Sequence, residues 1–460
     1  MLELLSPAGS PEAVRAAVQS GADAVYLGYG NFNARRNAVN FDEAALQEAV
    51  QYCHLRGVKV YLTLNTLLND RELTQAAKLV DQVSQMGVDA LLVQDLGVAR
   101  MCRQVAPDLP LHASTQMTIH SLDGAKAAAD LGMTRVVVSR ELSRDQIAYL
   151  CDRSPVEIEC FVHGALCMCY SGQCAMSAMI GGRSGNRGTC AQPCRLPYTV
   201  GEKTGYLLSL KDNNLSPYLR QMEEMGVSCV KLEGRMKRPE YVAAVTGIYR
   251  RLLDEKRPPS PTEQAQLERA FSRSGFTDGY WTGRRGAKMF GMRPESARWP
   301  EDWFAQVRKT YEGGAENRSV AVDFTCRIAA GEEAALTAAL PDGRSVTVTG
   351  PVPEAARSRS LTEEELRTLA NAVFVKKQTS LVRDMFLFGC FTGLSYIDIK
   401  TLTHDKIQRM DFDGEEWIIT RRTKTRVSSN VPLMEIAKEL IERYKGLAGG
   451  DLVFPMPSNS

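Results

Sequence analysis

The chain has 460 residues, 44% of them hydrophobic, and a formal net charge of +2. That length suits two or three domains, and the balanced composition excludes a disordered or strongly polybasic chain. No apolar run is long enough to span a membrane, and Met1 leads into LELLSPAG without a basic n-region or a long apolar h-region. A cytoplasmic protein whose cysteines are free or ligating is therefore expected.

In chain order, one pattern recurs: a helix-like segment, a glycine, then a short apolar run. It occurs at GADAVYLG from Gly21, GVKVYLTLN from Gly57, GVDALLVQD from Gly87, GMTRVVVSR from Gly132 and GVSCVKLEG from Gly226. A glycine just past a helix is the usual left-handed stop, and a β-branched apolar run after it reads as a buried parallel strand. LELLSPAG at 2–9, LPLHAST at 109–115 and VEIECFVHG at 156–164 bring the number of strands to eight. Segments 41–56, 70–86 and 121–131 carry helical apolar spacing. The expected fold is α/β, a TIM-like (β/α)8 barrel over residues 1–256, with a doubly wound open sheet as the alternative.

Each apolar run ends in polar residues, and barrel active sites lie where the C-terminal strand ends meet. His112, Gln116, Arg140, His163 and Glu233 are the candidate catalytic set, beside Asn65, Gln94, Asp95 and Arg235. Any strand end leaving a core is polar, which accounts for a lone serine or asparagine but poorly for two histidines and an Arg-Glu pair. Arg35, Arg36, Arg183, Arg187, Arg195, Lys231, Lys237 and Arg238 crowd the same rim. Such a rim fits the phosphates of RNA or an anionic small molecule, and equally a solvated surface.

Residues 157–195 hold six of the twelve cysteines: Cys160, Cys167, Cys169, Cys174, Cys190 and Cys194. Six glycines share the stretch, so it reads as a loop rather than a helix. The spacing Cys167-x6-Cys174-x15-Cys190-x3-Cys194 has only one zinc-like knuckle, and the chain has no C-x-x-C redox motif. Four thiolates on an irregular loop suit an iron–sulfur cluster, with zinc and structural or redox thiols left open.

After residue 256 the composition shifts. Pro258, Pro259 and Pro261 mark a break, and SVAVDFTCRIAA, AALTAAL and SVTVTG predict a small antiparallel β module within a 257–360 linker region. From Leu361, Thr362 and Glu365 form a capping box before EEELRTLANAVF. A buried helix, a Thr-Gly turn, a short helix, a β-hairpin and a helix over 434–446 follow.

Residues 159–177, ECFVHGALCMCYSGQCAMS, resemble the signature of the collagenase-like peptidase family "U 32", on Glu159, Phe161, Gly164, Ala165, Leu166, Cys167, Gly172, Cys174 and Ser177. NRGTC, QPCR and LEGRMKRPEYV are similar too, and the resemblance spans roughly 1–360. It implies an oxygen-independent hydroxylation protein with a four-iron (4Fe-4S) cluster, acting on a ribosomal or transfer RNA base and linked to prephenate. YLLSLKDNNLS at 206–216 favours ribosomal RNA. The electron donor stays unidentified. The resemblance carries cluster ligands onto Cys167, Cys174 and Cys190, with Cys194 as the fourth and Cys229 as its alternative. Proteolysis is the competing activity, although the chain has neither G-x-S-x-G nor H-E-x-x-H.

Residues 361–460 resemble a truncated tyrosine recombinase catalytic domain, on LTEEELRTL, FTGLSYIDIKTL, the hairpin around Lys424 and VFPMPSNS. The resemblance gives Lys424 the proton-donating role and allows DNA contact. Ser395 stands where the family usually has arginine, and no nucleophilic tyrosine follows, so strand cleavage is not expected. The apolar helix 381–391 is expected to lack cover, leaving the tail poorly stable.

Overall fold

Eight apolar runs become eight parallel strands: β1 (Glu3–Pro7), β2 (Ala24–Gly28), β3 (Lys59–Leu64), β4 (Ala90–Val93), β5 (Leu111–Ala113), β6 (Arg135–Val137), β7 (Glu157–Gly164) and β8 (Cys229–Leu232). The structure is a computed structural model; it describes the chain apart from residues 1, 31, 35–40, 294–295, 313–316, 319–320, 330, 342, 353–360, 375–376, 413, 424–426 and 456–460. Arg35, Arg36 and Lys424 lie outside the described residues. Each strand pairs with the next, and β8 pairs with both β7 and β1, through Cys229↔Glu159 and Glu3↔Cys229. That double pairing closes the sheet into a barrel and excludes the open doubly wound alternative.

The helices between strands are α1 (Pro11–Gln19), α2 (Glu43–His54), α3 (Asp70–Gln85), α4 (Leu96–Val105), α5 (Leu122–Asp130), α6 (Arg144–Arg153), α7 (Leu219–Glu224) and α8 (Pro239–Asp254). The first six start at Ser, Asp or Asn, as at Ser10, whose side chain accepts from Ala13 N. Those caps satisfy N–H groups that the first turn leaves open, about 1 kcal/mol each. At the other end the recurring glycines take positive φ, from 66° at Gly57 to 92° at Gly21. A side chain there would strain the turn into the next strand.

Alternation along the strands sorts the core. Leu4, Val25, Leu62, Leu91, Val136, Ile158 and Val230 face the helices, while Leu5, Tyr26, Tyr61, Leu92, Val137, Phe161 and Cys229 fill the barrel. Toward the N-terminal strand ends the filling turns ionic. Arg135 Nη1 lies 2.5 Å from Glu3, Arg135 Nη2 lies 2.6 Å from Glu157, and Lys231 Nζ lies 2.7 Å from Glu159.

One compact unit comprises residues 1–323 and 339–344, and a second comprises 324–338 and 345–460. The first extends past residue 256, since helices Pro261–Ala270 and Glu301–Arg308 pack on α8. Strands Asp323–Arg327, Ala335–Ala339 and Ser345–Thr349, which lie in the second unit apart from Asp323 and Ala339, form the predicted small sheet. The pairing of Ala334 with Gly350 and of Thr337 with Thr347 runs antiparallel.

The tail has helices Glu363–Asn371, Lys377–Thr392, Tyr396–Lys400 and Glu435–Tyr444, and the Thr362–Glu365 capping box forms. The expected hairpin, Glu416–Arg421 with Ser428–Pro432, gains a third strand at Ile407–Arg409. The expectation that helix 381–391 lacks cover is corrected for one face only, since Val382 and Phe386 stay exposed. Leu381, Met385, Leu387 and Phe388 are buried with Ile418, Leu433, Ala437, Leu440, Val453 and Phe454, so the tail carries a core of its own.

Candidate active site at the barrel mouth

Between β7 and β8 the chain leaves the barrel, forms a short helix (Met176–Gly181) and a hairpin (Tyr198–Val200, Lys203–Gly205), and returns through strand Asp212–Asn214. That last strand pairs antiparallel with the end of β7, Asn213 opposite Gly164. The cysteine-rich loop is thus fixed at both feet to the C-terminal end of the barrel.

It is also tied across the mouth. Asn186 Nδ2 donates to Gln94 Oε1 at 2.7 Å and to Gln116 Oε1 at 3.2 Å, while its Oδ1 accepts from Leu67 N at 3.0 Å. Gln94 Nε2 and Gln173 Nε2 both donate to Gln116 O, at 3.2 and 3.1 Å. A Cβ at Gly172 would come within 2.9 Å of Gln116, so only glycine lets the loop lie this close. Arg187 pairs with Glu72 and donates to Leu67 O at 2.6 Å. Asn186, Gln173 and Arg187 bridge positions up to 120 residues apart. The reading of strand ends missed the two amides; the available signals were the NRGTC match for Asn186 and the 159–177 signature for Gln173.

Arg140 and Glu233 meet at the ends of β6 and β8. Arg140 Nη2 lies 2.7 Å from Glu233 Oε2, Arg140 Nη1 donates to Ala165 O at 2.6 Å, and the guanidinium lies 3.9 Å from the Phe161 ring centroid. The Arg140 side chain is 7% exposed, and its buried Nε has no hydrogen-bond partner. Arg235 is buried against Thr63 and Asn33. The mouth therefore offers a fixed guanidinium–carboxylate pair beside neutral amides, suited to orienting a polar or anionic group.

Two candidates are placed elsewhere, correcting the expected pocket. His112 is in register with Leu92 and with Arg135, the first residue of β6, so it sits in the ionic N-terminal layer, edge-on to Tyr61 at 4.9 Å. Burial, then the charges of Arg135, Lys231 and Lys59, pull its pKa well below the ordinary histidine value. His163 turns outward because the β7–β8 register shifts between Lys231 and Leu232, a bulge that reverses the alternation. It packs among Tyr241, Tyr249 and Phe276, and burial drives its pKa down to about 3. Of the five candidates, Gln116, Arg140 and Glu233 share the mouth.

The loop thiols gather at one place. Burial pushes the Cys194 thiol up, Arg195 opposes this, and the thiols of Cys167, Cys190 and Cys174 add to it, so all four lie within electrostatic reach. Burial raises the Cys169 thiol as well, with Cys174 and Cys167 adding to it. Cys167, Cys174 and Cys190 are exposed, and Cys190 Sγ accepts from Gln192 N at 3.3 Å and Ser177 Oγ at 3.7 Å. Cys229 is buried inside the barrel beside Glu159, Glu3 and Arg135, which removes it as the alternative fourth ligand. As a donor set, exposed free thiols with N–H and O–H donors to sulfur fit a thiolate-held cluster. Among the described residues no three His, Cys, Asp or Glu side chains stand at metal-holding distance, so the thiols are gathered without being closed. Nor, among those residues, does any histidine hydrogen-bond a loop cysteine, as a Cys/His nucleophile would require.

The profile of peptidase family U32 matches residues 9–290. The chain is similar to the 23S rRNA 5-hydroxycytidine C2501 synthase of Escherichia coli (strain K12), 45% identical over 260 residues, covering 55% of this chain and 39% of that protein. It is similar to the tRNA hydroxylation protein P1 of Bacillus subtilis (strain 168), 34% identical over 265 residues, covering 55% of this chain and 63% of that protein. A collagenase of Porphyromonas gingivalis (strain ATCC BAA-308 / W83) is 33% identical over 310 residues, covering 62% of this chain and 74% of that protein. The chain thus spans less than two thirds of the two RNA-modifying relatives. Among the described residues no helix is long and apolar enough to cross a membrane.

Proposed function

The chain belongs to peptidase family U32, and we propose that it takes part in the oxygen-independent hydroxylation of an RNA base, with ribosomal RNA favoured. The observation that carries this reading is the 45% identity over 260 residues to a 23S rRNA 5-hydroxycytidine C2501 synthase. In this reading Cys167, Cys174, Cys190 and Cys194 would hold a four-iron cluster, which supplies one-electron redox chemistry when bound.

The chain's own residues do the rest. Arg140, held by Glu233 and Ala165 O, presents a rigid guanidinium whose positive charge favours an oxygen of the substrate or of a prephenate-like carboxylate at the mouth. Gln94, Gln116, Gln173 and Asn186 lock the loop over the mouth, so that water is excluded where it covers the strand ends. His112 and His163 stay neutral and hold the packing rather than moving protons.

The test is nucleoside mass spectrometry of ribosomal and transfer RNA from cells with and without the gene. Loss of a hydroxylated base in its absence, restored by wild-type protein, supports the reading. An unchanged set of modified bases removes it. Proteolysis is the second reading, favoured by the collagenase relative and opposed by the absence, among the described residues, of a histidine hydrogen-bonded to a loop cysteine. For the tail, the recombinase resemblance leaves DNA contact as a proposal, tested by salt-dependent binding of duplex DNA to residues 361–460.

A further inference from the structure

Beside the cysteine loop, three cations from three separate segments converge on one phenyl ring. Lys237 Nζ lies 2.9 Å from the Phe271 centroid, the Arg293 guanidinium 4.6 Å and the Arg273 guanidinium 5.2 Å. Lys237 follows β8, Arg273 follows helix Pro261–Ala270, and Arg293 follows a segment pinned in place: Lys211 N donates to Met289 O and Gly291 N donates to Ser209 O, both at 2.8 Å. A Cβ at Gly291 would fall 2.6 Å from Arg273 O, so this crossing needs glycine. Trp299 forms a second wall, 5.0 Å from Arg293 and 5.9 Å from Lys237.

The counter-charge is short. Asp212 pairs with Arg273 through one oxygen and is shared electrostatically with Lys237 and Arg293. Glu233 also faces Lys237 but is engaged by Arg140. A ring has two faces, so Phe271 cannot serve three cations equally. Like charges crowded in a half-buried place repel unless an anion joins them. The crowding shows on Lys237, whose pKa burial and then Arg273 pull down to about 7, with Arg293 adding to this and Asp212 and Glu233 opposing it.

We propose that Lys237, Arg273 and Arg293, backed by Phe271 and Trp299, form a seat for a phosphate-class oxyanion next to the cysteine loop. The anion arrives as a phosphate of bound RNA or as a free small anion. The seat rests on the RNA-hydroxylation reading only for the first of these sources. Place in the fold favours a working role: Arg195, next to Cys194, donates to Ser209 Oγ at 3.0 Å and to Leu210 O at 2.5 Å, so the loop and the segment leading to Asp212 share one anchor.

The experiment is equilibrium binding to the full chain in two arms, inorganic phosphate and a short single-stranded RNA, for wild type, Lys237→Met, Arg293→Gln and the control Arg153→Gln on exposed α6. Charge-assisted contacts predict about a tenfold or greater weakening for Lys237→Met and Arg293→Gln, with Arg153→Gln unchanged. In the RNA arm each lost phosphate contact also lowers the slope of log affinity against log salt by roughly 0.7. Weakening in the RNA arm alone assigns the anion to RNA, and weakening in the phosphate arm as well assigns it to a free anion. Thermal melting checks folding, and half-exposed Arg293 keeps the test open if Lys237→Met unfolds. Binding of neither probe by wild type, or equal weakening by Arg153→Gln, overturns the seat. Because no turnover is read, failure of hydroxylation with binding intact would reject the functional reading and leave the seat standing.

Discussion

Arg140 and Glu233 illustrate how a site residue is also a structural one. Both side chains are nearly buried, so removing one strands the other's charge away from water. Arg140→Ala is therefore expected to lower the unfolding free energy by about 3–5 kcal/mol as well as to abolish the modification. Urea unfolding of that variant checks the stability part, and an unchanged midpoint would show that water reaches the pair. His163 differs: it is buried, uncharged and turned away from the mouth. In the unfolded chain it titrates near its ordinary value of about 6.5, while in the fold it resists protonation until about pH 3. Its contribution is present above about pH 6.5 and is lost as pH falls from there toward 3, because only the unfolded state gains the proton. From pH 7 to pH 5, wild type should lose about 2 kcal/mol more than His163→Phe in paired urea titrations. Equal losses would place the imidazole in contact with solvent.

At the scale of elements, the cysteine loop works as a lid fastened by amides. Asn186 makes three of the fastening hydrogen bonds, so Asn186→Ala should loosen the loop by about 1 kcal/mol per lost bond. Faster proteolytic nicking between 167 and 194 is the expected readout, with barrel melting unchanged. Cys167→Ala, Cys174→Ala and Cys190→Ala should each remove most bound iron, whereas Cys53→Ala, Cys102→Ala and Cys229→Ala should not, their thiols being buried in the barrel and its helix layer. The barrel was legible because each glycine stop and apolar run is a local signal that packing then confirms. The crowding of cysteines into the loop that leaves β7 was legible from their density in the chain. What stayed hidden depends on register and long-range contact. One shifted pair beside Leu232 turns His163 out of the barrel, a three-residue strand places His112 in the lower layer, and Asn186 reaches Gln94 across 92 residues. None of these leaves a trace in periodicity.

For the whole molecule, the two units hold separate cores, one around the barrel and one around Phe388, Ile418 and Phe454. Independent cores predict separate melting, since each unit buries its own apolar surface. Calorimetry of the full chain should show two transitions, with the smaller one lost on truncation to residues 1–360 and iron content preserved. A single transition, or iron lost with the tail, would mean that the units stabilise each other. The proposed function needs four thiolates of the loop to hold a redox cluster for RNA hydroxylation. Iron and acid-labile sulfide analysis of the anaerobically purified full chain tests it most directly. About four of each per chain are expected, falling to near zero in Cys174→Ala. Stoichiometric zinc, with no iron taken up on anaerobic reconstitution, would contradict it.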